Sequence, residues 1–322
     1  MPQESIYYAI GRLSVMQKNT LDASKLERLL QAPTAQEARR TLSEMGWSAE
    51  GDYDRIAAQH VENACRLIRE IATDEEEIDC FLLKYDVNNL KMLLKARSLG
   101  REAEDLSPCG VYPAEKLRKC VADRKYDGLP QTLKDALDEL EKQLSLRVDP
   151  LEIDARLDRA MYETIFARLP KKNSAVRKYF TARVDILNLV IALRVLHMGK
   201  NASFFESLLL PGGSIDKKEW LKGFEKPEKL PLLLNKYGQK VYNAAIAAQM
   251  DAGKIAALER AMDDCLLAVY LPYKSTMDSP QRLIGYLLMR QREAAAVRLI
   301  LAGKTAGFAA EKIRERLRDL YA

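Results

Sequence analysis

An all-α fold made of three similar helical subdomains is the expectation for these 322 residues, and three observations lead to it. Apolar residues recur at three- and four-residue spacing in nearly every segment, against a background of Ala, Leu, Lys, Arg and Glu, which enter helices at least cost. Sustained Val/Ile/Thr/Tyr alternation is nearly absent, and no Asn-Gly hairpin turn occurs. One strongly apolar stretch occurs three times, which is the signature of internal repetition.

The elements follow in order. Two polar, outward-facing helices are expected at residues 23–30 and 35–44, with Pro33 between them and a Gly-bounded break at 46–51. Thr73-x-x-Glu76 fits a capping box, and the acidic run Asp74-Glu75-Glu76-Glu77 suits the positive end of a helix. The first apolar core helix is expected over 84–101. A break at 108–113 precedes another polar helix at 114–121, and further breaks fall at 127–130, 149–150 and 170–173. The second core helix, 182–200, is apolar on most faces from Val184 to Met198 and must be buried on most sides. After the loop at 211–214, Asp216 is placed to cap a helix starting near Lys217. Breaks at 227–231 and 272–280 lead to the third core helix, 283–304. The chain closes on Glu311–Tyr321, where Glu311, Lys312, Arg314, Glu315, Arg316, Arg318 and Asp319 alternate in sign as on a solvated helix.

Each core stretch ends in Gly plus a cation: Gly100-Arg101, Gly199-Lys200 and Gly303-Lys304. Glycine supplies the left-handed position that ends a helix, and the cation suits the negative end of its dipole. Each has a basic residue five positions before that glycine: Lys95, Arg194 and Arg298. The first two share D-x-x-N-L, as Asp86/Asn89/Leu90 and Asp185/Asn188/Leu189. At the matching offset from Gly303 the third has Met289 and Arg292. Leu157-Asp-Arg-Ala-Met161 precedes the second stretch, and Leu258-Glu-Arg-Ala-Met262 precedes the third at similar spacing. The expected subdomains are 1–120, 121–220 and 221–322, with terminal helices free to exchange between them.

The composition excludes several classes. Lys+Arg number 51 and Asp+Glu 46, a net +5 spread over both signs, which is not the footprint of a dedicated nucleic-acid binder. The odd set of five cysteines contains no C-x-x-C, so neither a disulfide framework nor a zinc knuckle is signalled, and a reducing cytoplasm is expected. Only His60 and His197 could serve a histidine site, and they lie far apart in sequence. The N-terminus lacks the basic-then-apolar pattern of a signal peptide, and Arg194 interrupts the most apolar segment, 186–198, which is too short to span a bilayer.

Each possible chemical site has a plainer reading. Gly303-Lys304-Thr305 copies the tail of a phosphate loop, but Arg298 stands where that motif needs its first glycine, so a helix C-cap is the better reading. Pro211-Gly212-Gly213-Ser214 is either a small anion nest or a plain loop, and the loop is favoured. Asp86 and Asp185 occupy matched repeat positions, which favours a shared cap or buried hydrogen bond over acid–base chemistry. The acidic run at 74–77 could offer oxygen to a cation only with ligands from elsewhere. His197 reads as a satisfied buried or boundary histidine, and Cys109 as inert because no cation adjoins it. The expected sets of catalytic, cofactor-binding and metal-binding residues are therefore empty, and the residues alone describe a scaffold or coupling protein.

A family resemblance sharpens this. Tyr8-Ala-Ile-Gly-Arg12-Leu, the helix carrying Leu26, Leu29 and Leu30, and Thr34-x-x-Glu37-Ala38 resemble the opening of the C subunit of archaeal and bacterial V/A-type rotary ATPases, the counterpart of the d subunit in the vacuolar enzyme. Tyr85-Asp86-Val-Asn-Asn89-Leu-Lys91 running to Gly100, Pro108-Cys-Gly110, Leu157-Asp158-Arg159 and Tyr162 continue the likeness. Tyr286-Leu-Leu, Arg298-Leu-Ile-Leu, Gly303-Lys304 and Ile313-Arg314-Glu315-Arg316-Leu317 complete it, so that it covers nearly the whole chain. The resemblance implies a funnel-shaped body with pseudo-threefold arrangement on the cytoplasmic side of a membrane proteolipid ring. It implies a socket for the central axle built of D- and F-type subunits, one copy per complex, torque transmission for proton or sodium transport, and no chemistry of its own. Lys91, Arg97 and Arg183 are the expected partner contacts, and Asp86, Asn89, Gly100, Asp185, Asn188, Gly199 and Gly303 the structural repeat positions. The alternative is a soluble helical-repeat adaptor that holds a partner helix or peptide in a groove.

Overall fold

A computed structural model of the chain describes residues 5–17, 20–144, 149–170, 174–318 and 320. Most of the expected break at 170–173, together with Asp319 and Tyr321 of the C-terminal segment, lies outside the described residues. The all-α expectation holds: every regular element among the described residues is helical. In chain order the α-helices are α1 (Ile6–Gln17), α2 (Ala23–Gln31), α3 (Ala35–Glu44), α4 (Tyr53–Ile71), α5 (Glu75–Ser98), α6 (Ala114–Asp123), α7 (Gln131–Leu144) and α8 (Pro150–Arg168). They continue as α9 (Ala175–His197), α10 (Ala202–Leu208), α11 (Lys217–Glu225), α12 (Gln239–Met250), α13 (Ile255–Ala268), α14 (Gln281–Thr305) and α15 (Ala310–Arg314).

The chain divides into two compact units. The first joins the two ends of the sequence, Met1–Glu75 and Tyr270–Ala322, and the second is Glu76–Val269.

In the first unit the helix starts are fixed by short polar side chains. Asp22, Thr34 and Asp52 accept the amides of Lys25, Glu37 and Arg55, each supplying an acceptor that a helix N-terminus lacks. The apolar faces of α2, α3 and α4 meet α14 and α15 in a core containing Leu29, Leu42, Trp47, Ile56, Val297 and Ile313. Burying side chains of this size contributes about 1.5–3 kcal/mol each. The 25-residue α14 is buried along most of its length and runs beside α4.

In the second unit the 23-residue α9 is buried on nearly every face, as its uniform apolarity requires. Phe81 of α5 packs on Tyr179 and Phe180 of α9, with ring centroids 5.0 and 4.9 Å apart. The helices α7 and α8 pack as a hairpin. The two prolines at 227–231 do not break the chain: Pro227 begins a 3-10 helix, Pro227–Tyr237, that continues through Pro231 and packs on α12. Asp216 stands at the expected N-cap of α11, although its side chain makes no capping bond.

The helix ends correct one expectation. Gly100 (φ 63°) and Gly199 (φ 65°) are left-handed C′ glycines. Behind each, an amide reaches back to close the end, Arg101 N–H to Ala96 O at 2.9 Å and Lys200 N–H to Val195 O at 3.1 Å. Gly303 plays no such part. It is helical and buried inside α14, where an added Cβ would lie 2.7 Å from Ile313 Cγ1, so a small residue is required for α15 to pack. The C′ glycine of this helix is Gly307 (φ 73°), one helical turn later, and Phe308 N–H closes the end on Gly303 O at 2.8 Å.

Candidate functional site

The D-x-x-N pairs explain themselves once their partners are seen. Asn89 bonds the backbone of Ser107 in both directions, donating to its carbonyl at 2.8 Å and accepting its amide at 2.9 Å. Asn188 does the same to Leu210, at 3.0 and 2.9 Å. One turn earlier on each helix, Asp86 accepts the amides of Val111 (2.6 Å) and Tyr112 (3.0 Å). Asp185 accepts those of Ser214 (3.0 Å) and Ile215 (3.4 Å). The loops 107–112 and 210–215 are therefore equivalent, each clamped to its core helix by an amide and a carboxylate. All four clamping side chains are buried. Gly110 and Gly213 are needed where the loop passes the acid, since an added Cβ would lie 2.0 or 2.2 Å from the carboxylate oxygen.

This decides the anion-nest question at 211–214. The anion that its amides face is Asp185 of the same chain. That carboxylate also accepts from Tyr237 Oη at 2.6 Å and lies 3.2 Å from Lys236 Nζ. Burial pushes the Tyr237 phenol above its ordinary range, and the Asp185 carboxylate beside it adds to the rise. Asp86 accepts two amides of its loop, and Asp185 accepts two amides of its loop and the Tyr237 hydroxyl, which is a structural use of a carboxylate.

The corrected end of α14 reveals a third member. Asp86 and Asp185 stand fourteen positions before Gly100 and Gly199, and fourteen before Gly307 is Glu293. Glu293 is 1% exposed and accepts a backbone amide, that of Leu21, at 2.7 Å. Ala296 replaces the asparagine. Met289 and Arg292 came into the comparison only because the count began at Gly303. Around Glu293 lie Arg290 Nη1 at 2.8 Å and His60 Nε2 at 2.9 Å, with the His60 ring stacked 3.4 Å from that of Trp47. Burial holds His60 below its ordinary value and outweighs the opposing pull of Glu293. Sequence reasoning missed this cluster; the signal was the repeated offset, readable only from the left-handed glycine.

The three cations paired by the first count all bridge helices, although in the corrected register Arg298 stands nine positions before Gly307 and not five. Lys95 pairs with Asp154 of α8 at 2.5 Å, Arg194 with Glu259 of α13 at 2.6 Å, and Arg298 with Asp54 of α4. Each core helix is thus stapled to an outer one. Lys91 adds a second staple to α8 through Asp158 at 2.6 Å. Arg97 grips Glu141 at 2.7 and 2.8 Å and donates to Val121 O at 2.6 Å. Arg183 donates to Tyr162 Oη at 3.0 Å. The three expected partner contacts therefore all hold intramolecular bonds, and the structure does not bring them together into one set.

The phosphate-loop fragment is part of a helix. Lys304 lies in the last turn of α14 and donates to Leu30 O at 2.7 Å and to Ala32 O, so its ammonium caps the C-terminus of α2. His197 is exposed and bonded to Ala248 O at 2.9 Å. Cys109 is buried in the first clamped loop. Among the described residues there is no group of three or more His, Cys, Asp or Glu able to hold a metal ion, and no helix long and apolar enough to cross a membrane.

Comparison with known proteins then gives a consistent picture. The family described as ATP synthase (C/AC39) subunit matches residues 9–316. The chain is similar to the C subunit of the V-type sodium ATPase of Enterococcus hirae, with 24% identity over 84% of this chain and 83% of that protein. It is similar to the C subunit of the V-type ATP synthase of Deinococcus radiodurans, with 25% identity over 96% of this chain and 90% of that one. It is also similar to the C subunit of the A-type ATP synthase of Methanosarcina acetivorans, with 25% identity over 96% and 92%.

Proposed function

The chain belongs to the family of ATP synthase (C/AC39) subunits, and from that membership we propose that it is a non-catalytic central-stalk subunit of a V/A-type rotary ATPase or ATP synthase. In this reading it is a socket, present once per complex, on the cytoplasmic side of the membrane. One face holds the end of the central axle, formed by D- and F-type subunits, and the other rests on the proteolipid ring. It passes torque between them, so that axle rotation and ion-carrying ring rotation are coupled. Three subdomains, near 1–120, 121–220 and 221–322, are proposed to give the socket its pseudo-threefold, funnel-like form.

The observation that carries the reading is a family match spanning residues 9–316 together with relatives aligned over most of both chains. The packing supports the mechanical part. Long buried helices, staples to outer helices and loops clamped by buried acids resist local deformation, as close-packed interiors do. Lys91, Arg97 and Arg183 enter this reading as contacts that must share their charge with Asp158, Glu141 and Tyr162.

The test is a tagged pull-down from mildly solubilised membranes with every co-eluting chain identified. Recovery of the proteolipid of the ring with the axle and catalytic subunits is the expected result. Recovery of the tagged chain alone from intact complexes, or with unrelated soluble partners, overturns it.

A further inference from the structure

We infer that a groove between α7, α8 and α10 of the second unit is a docking site for a lysine- and arginine-rich amphipathic helix of a neighbouring subunit, an inference that rests on the proposed place in a rotary complex. The groove has a volume of about 640 Å³. That is within the range of sites that take up a ligand or a short run of side chains, roughly 300–1,000 Å³. Its floor is small or apolar, made by Ala136, Ala155, Ala160, Phe204 and Leu208, and so has room for apolar side chains of an incoming helix.

Its rim is acidic. Asp135 and Glu139 stand one turn apart on α7, and Asp149, Glu152 and Glu163 come from the start and body of α8. Two arginines also line the groove, but both guanidinium groups are already bonded. Arg156 donates to Glu152 at 3.0 and 2.9 Å and to Glu139. Arg159 donates to the carbonyls of Ser207 (2.9 Å) and Leu209 (3.2 Å), at the end of α10. Five carboxylates against two arginines leave an excess of three negative charges, in a chain whose net charge is +5. The groove's sign is therefore opposite to that of the molecule.

An apolar floor under an acidic rim is the complement of a helix with apolar residues on one side and cations flanking them. A neutral helix would strip water from the rim carboxylates without pairing them, and an acidic helix or a nucleic acid would be repelled. A bare divalent cation fits poorly, because these carboxylates do not gather into a metal-holding cluster among the described residues. Asp135 and Glu163 are both exposed, and neither is among the ion pairs of the described residues; Asp135 accepts from Gln131 Nε2 at 2.6 Å, a neutral donor that does not cancel its charge.

The experiment uses the full chain in its assembled complex. A photoreactive benzoylphenylalanine replaces Leu151, an exposed residue lining the groove, and the linked peptide is identified after illumination. In parallel, Asp135→Lys/Glu163→Lys is compared with the unaltered chain for retention in the complex as salt is raised from about 0.05 to about 0.3 M. The expected result is a link to a segment of a co-assembled subunit with cations and apolar residues at helical spacing. The double variant, with an unchanged melting temperature, should be retained about tenfold more weakly near 0.15 M salt. Equal retention of variant and unaltered chain at every salt, or a link to a segment without cations, overturns the groove inference and leaves the proposed function standing. An unaltered chain that co-purifies with no rotary-ATPase component overturns both.

Discussion

Replacing Asp185 by alanine tests whether the buried acids hold their loops. Asp185 is 0% exposed and faces Ser214 N–H at 3.0 Å, Tyr237 Oη at 2.6 Å and the Lys236 ammonium at 3.2 Å. Alanine leaves the Ser214 amide and the Tyr237 hydroxyl facing an apolar gap, while the half-exposed Lys236 side chain can turn to water. Each hydrogen bond to a charged group contributes about 1.5–3 kcal/mol. Bonds that share one carboxylate are not additive, and removal of one partner from a buried charged set costs about 3–5 kcal/mol. The expected loss for Asp185→Ala is therefore about 4 kcal/mol. Asp86→Ala removes bonds to two amides and should cost about 3 kcal/mol. Asp185→Asn keeps the shape and one acceptor oxygen but turns an NH₂ toward donors, and about 2 kcal/mol is expected. Urea unfolding gives the free energies. Amide hydrogen exchange at Ser214 and Ile215 reports the loop directly and should accelerate in both Asp185 variants. An Asp185→Ala loss below about 1 kcal/mol, with exchange at Ser214 unchanged, would mean that the loop holds itself and that the clamp is incidental.

The remaining predictions concern the first unit. The histidine in contact with Glu293 and Arg290 has its folded-state value lowered by burial, so its contribution is full above the unfolded value near 6.5 and is lost as pH falls through the lower folded value. Urea unfolding at pH 7.5 and 5.5 should show a stability loss of at most about 1.4 kcal/mol per pH unit from this group, and His60→Phe should reduce it. Gly307→Ala should cost about 1 kcal/mol for its left-handed backbone, whereas Gly303→Ala should cost about 2 kcal/mol because Ile313 blocks the added methyl, as read from paired melting curves. Equal costs would mean that Ile313 yields to the added methyl and that Gly303 is not required for packing. Lys304→Met keeps the alkyl stem but removes the donors to Leu30 and Ala32, and a loss of about 1–2 kcal/mol by urea titration is expected.

What was legible in the sequence follows the range of the interactions involved. The helices and the buried character of α9 are local consequences of apolar recurrence, and both are found as expected. The D-x-x-N pairs were visible as repeats, but their purpose was not, because the loops they hold lie 18 to 30 positions downstream. Pro108-Cys-Gly110 and Pro211-Gly-Gly213 stood in plain view as breaks; their equivalence became apparent only with their amides on the two aspartates. The third repeat was miscounted for a definite reason. Gly303-Lys304 imitates a C′ glycine followed by a cation, yet that glycine answers to Ile313 and that lysine to the end of α2. Only a backbone angle separates such a glycine from Gly307. The pairing partners of Lys91, Arg97 and Arg183 were invisible for the opposite reason, since a lone cation in a sequence does not declare which acid lies across the helix interface.

The three acids, read in the corrected register, imply more than a repeated ornament. Asp86 and Asp185 each fix backbone that follows their own helix, whereas Glu293, at the same position of the last core helix, fixes Leu21, near the start of the chain. In the first two the asparagine one turn on holds the loop a second time; in the third Ala296 cannot, and Arg290 and His60 surround the acid in its place. The same lever is thus applied twice to a local loop and once to a segment distant in sequence, which ties the third core helix to the stretch at Leu21. A segment held to a buried helix by charge-assisted bonds moves with that helix and does not swing independently of it. Within each unit, therefore, a displacement imposed on a clamped segment is delivered to a core helix instead of being lost in slack, which is the property that the proposed torque-passing role requires.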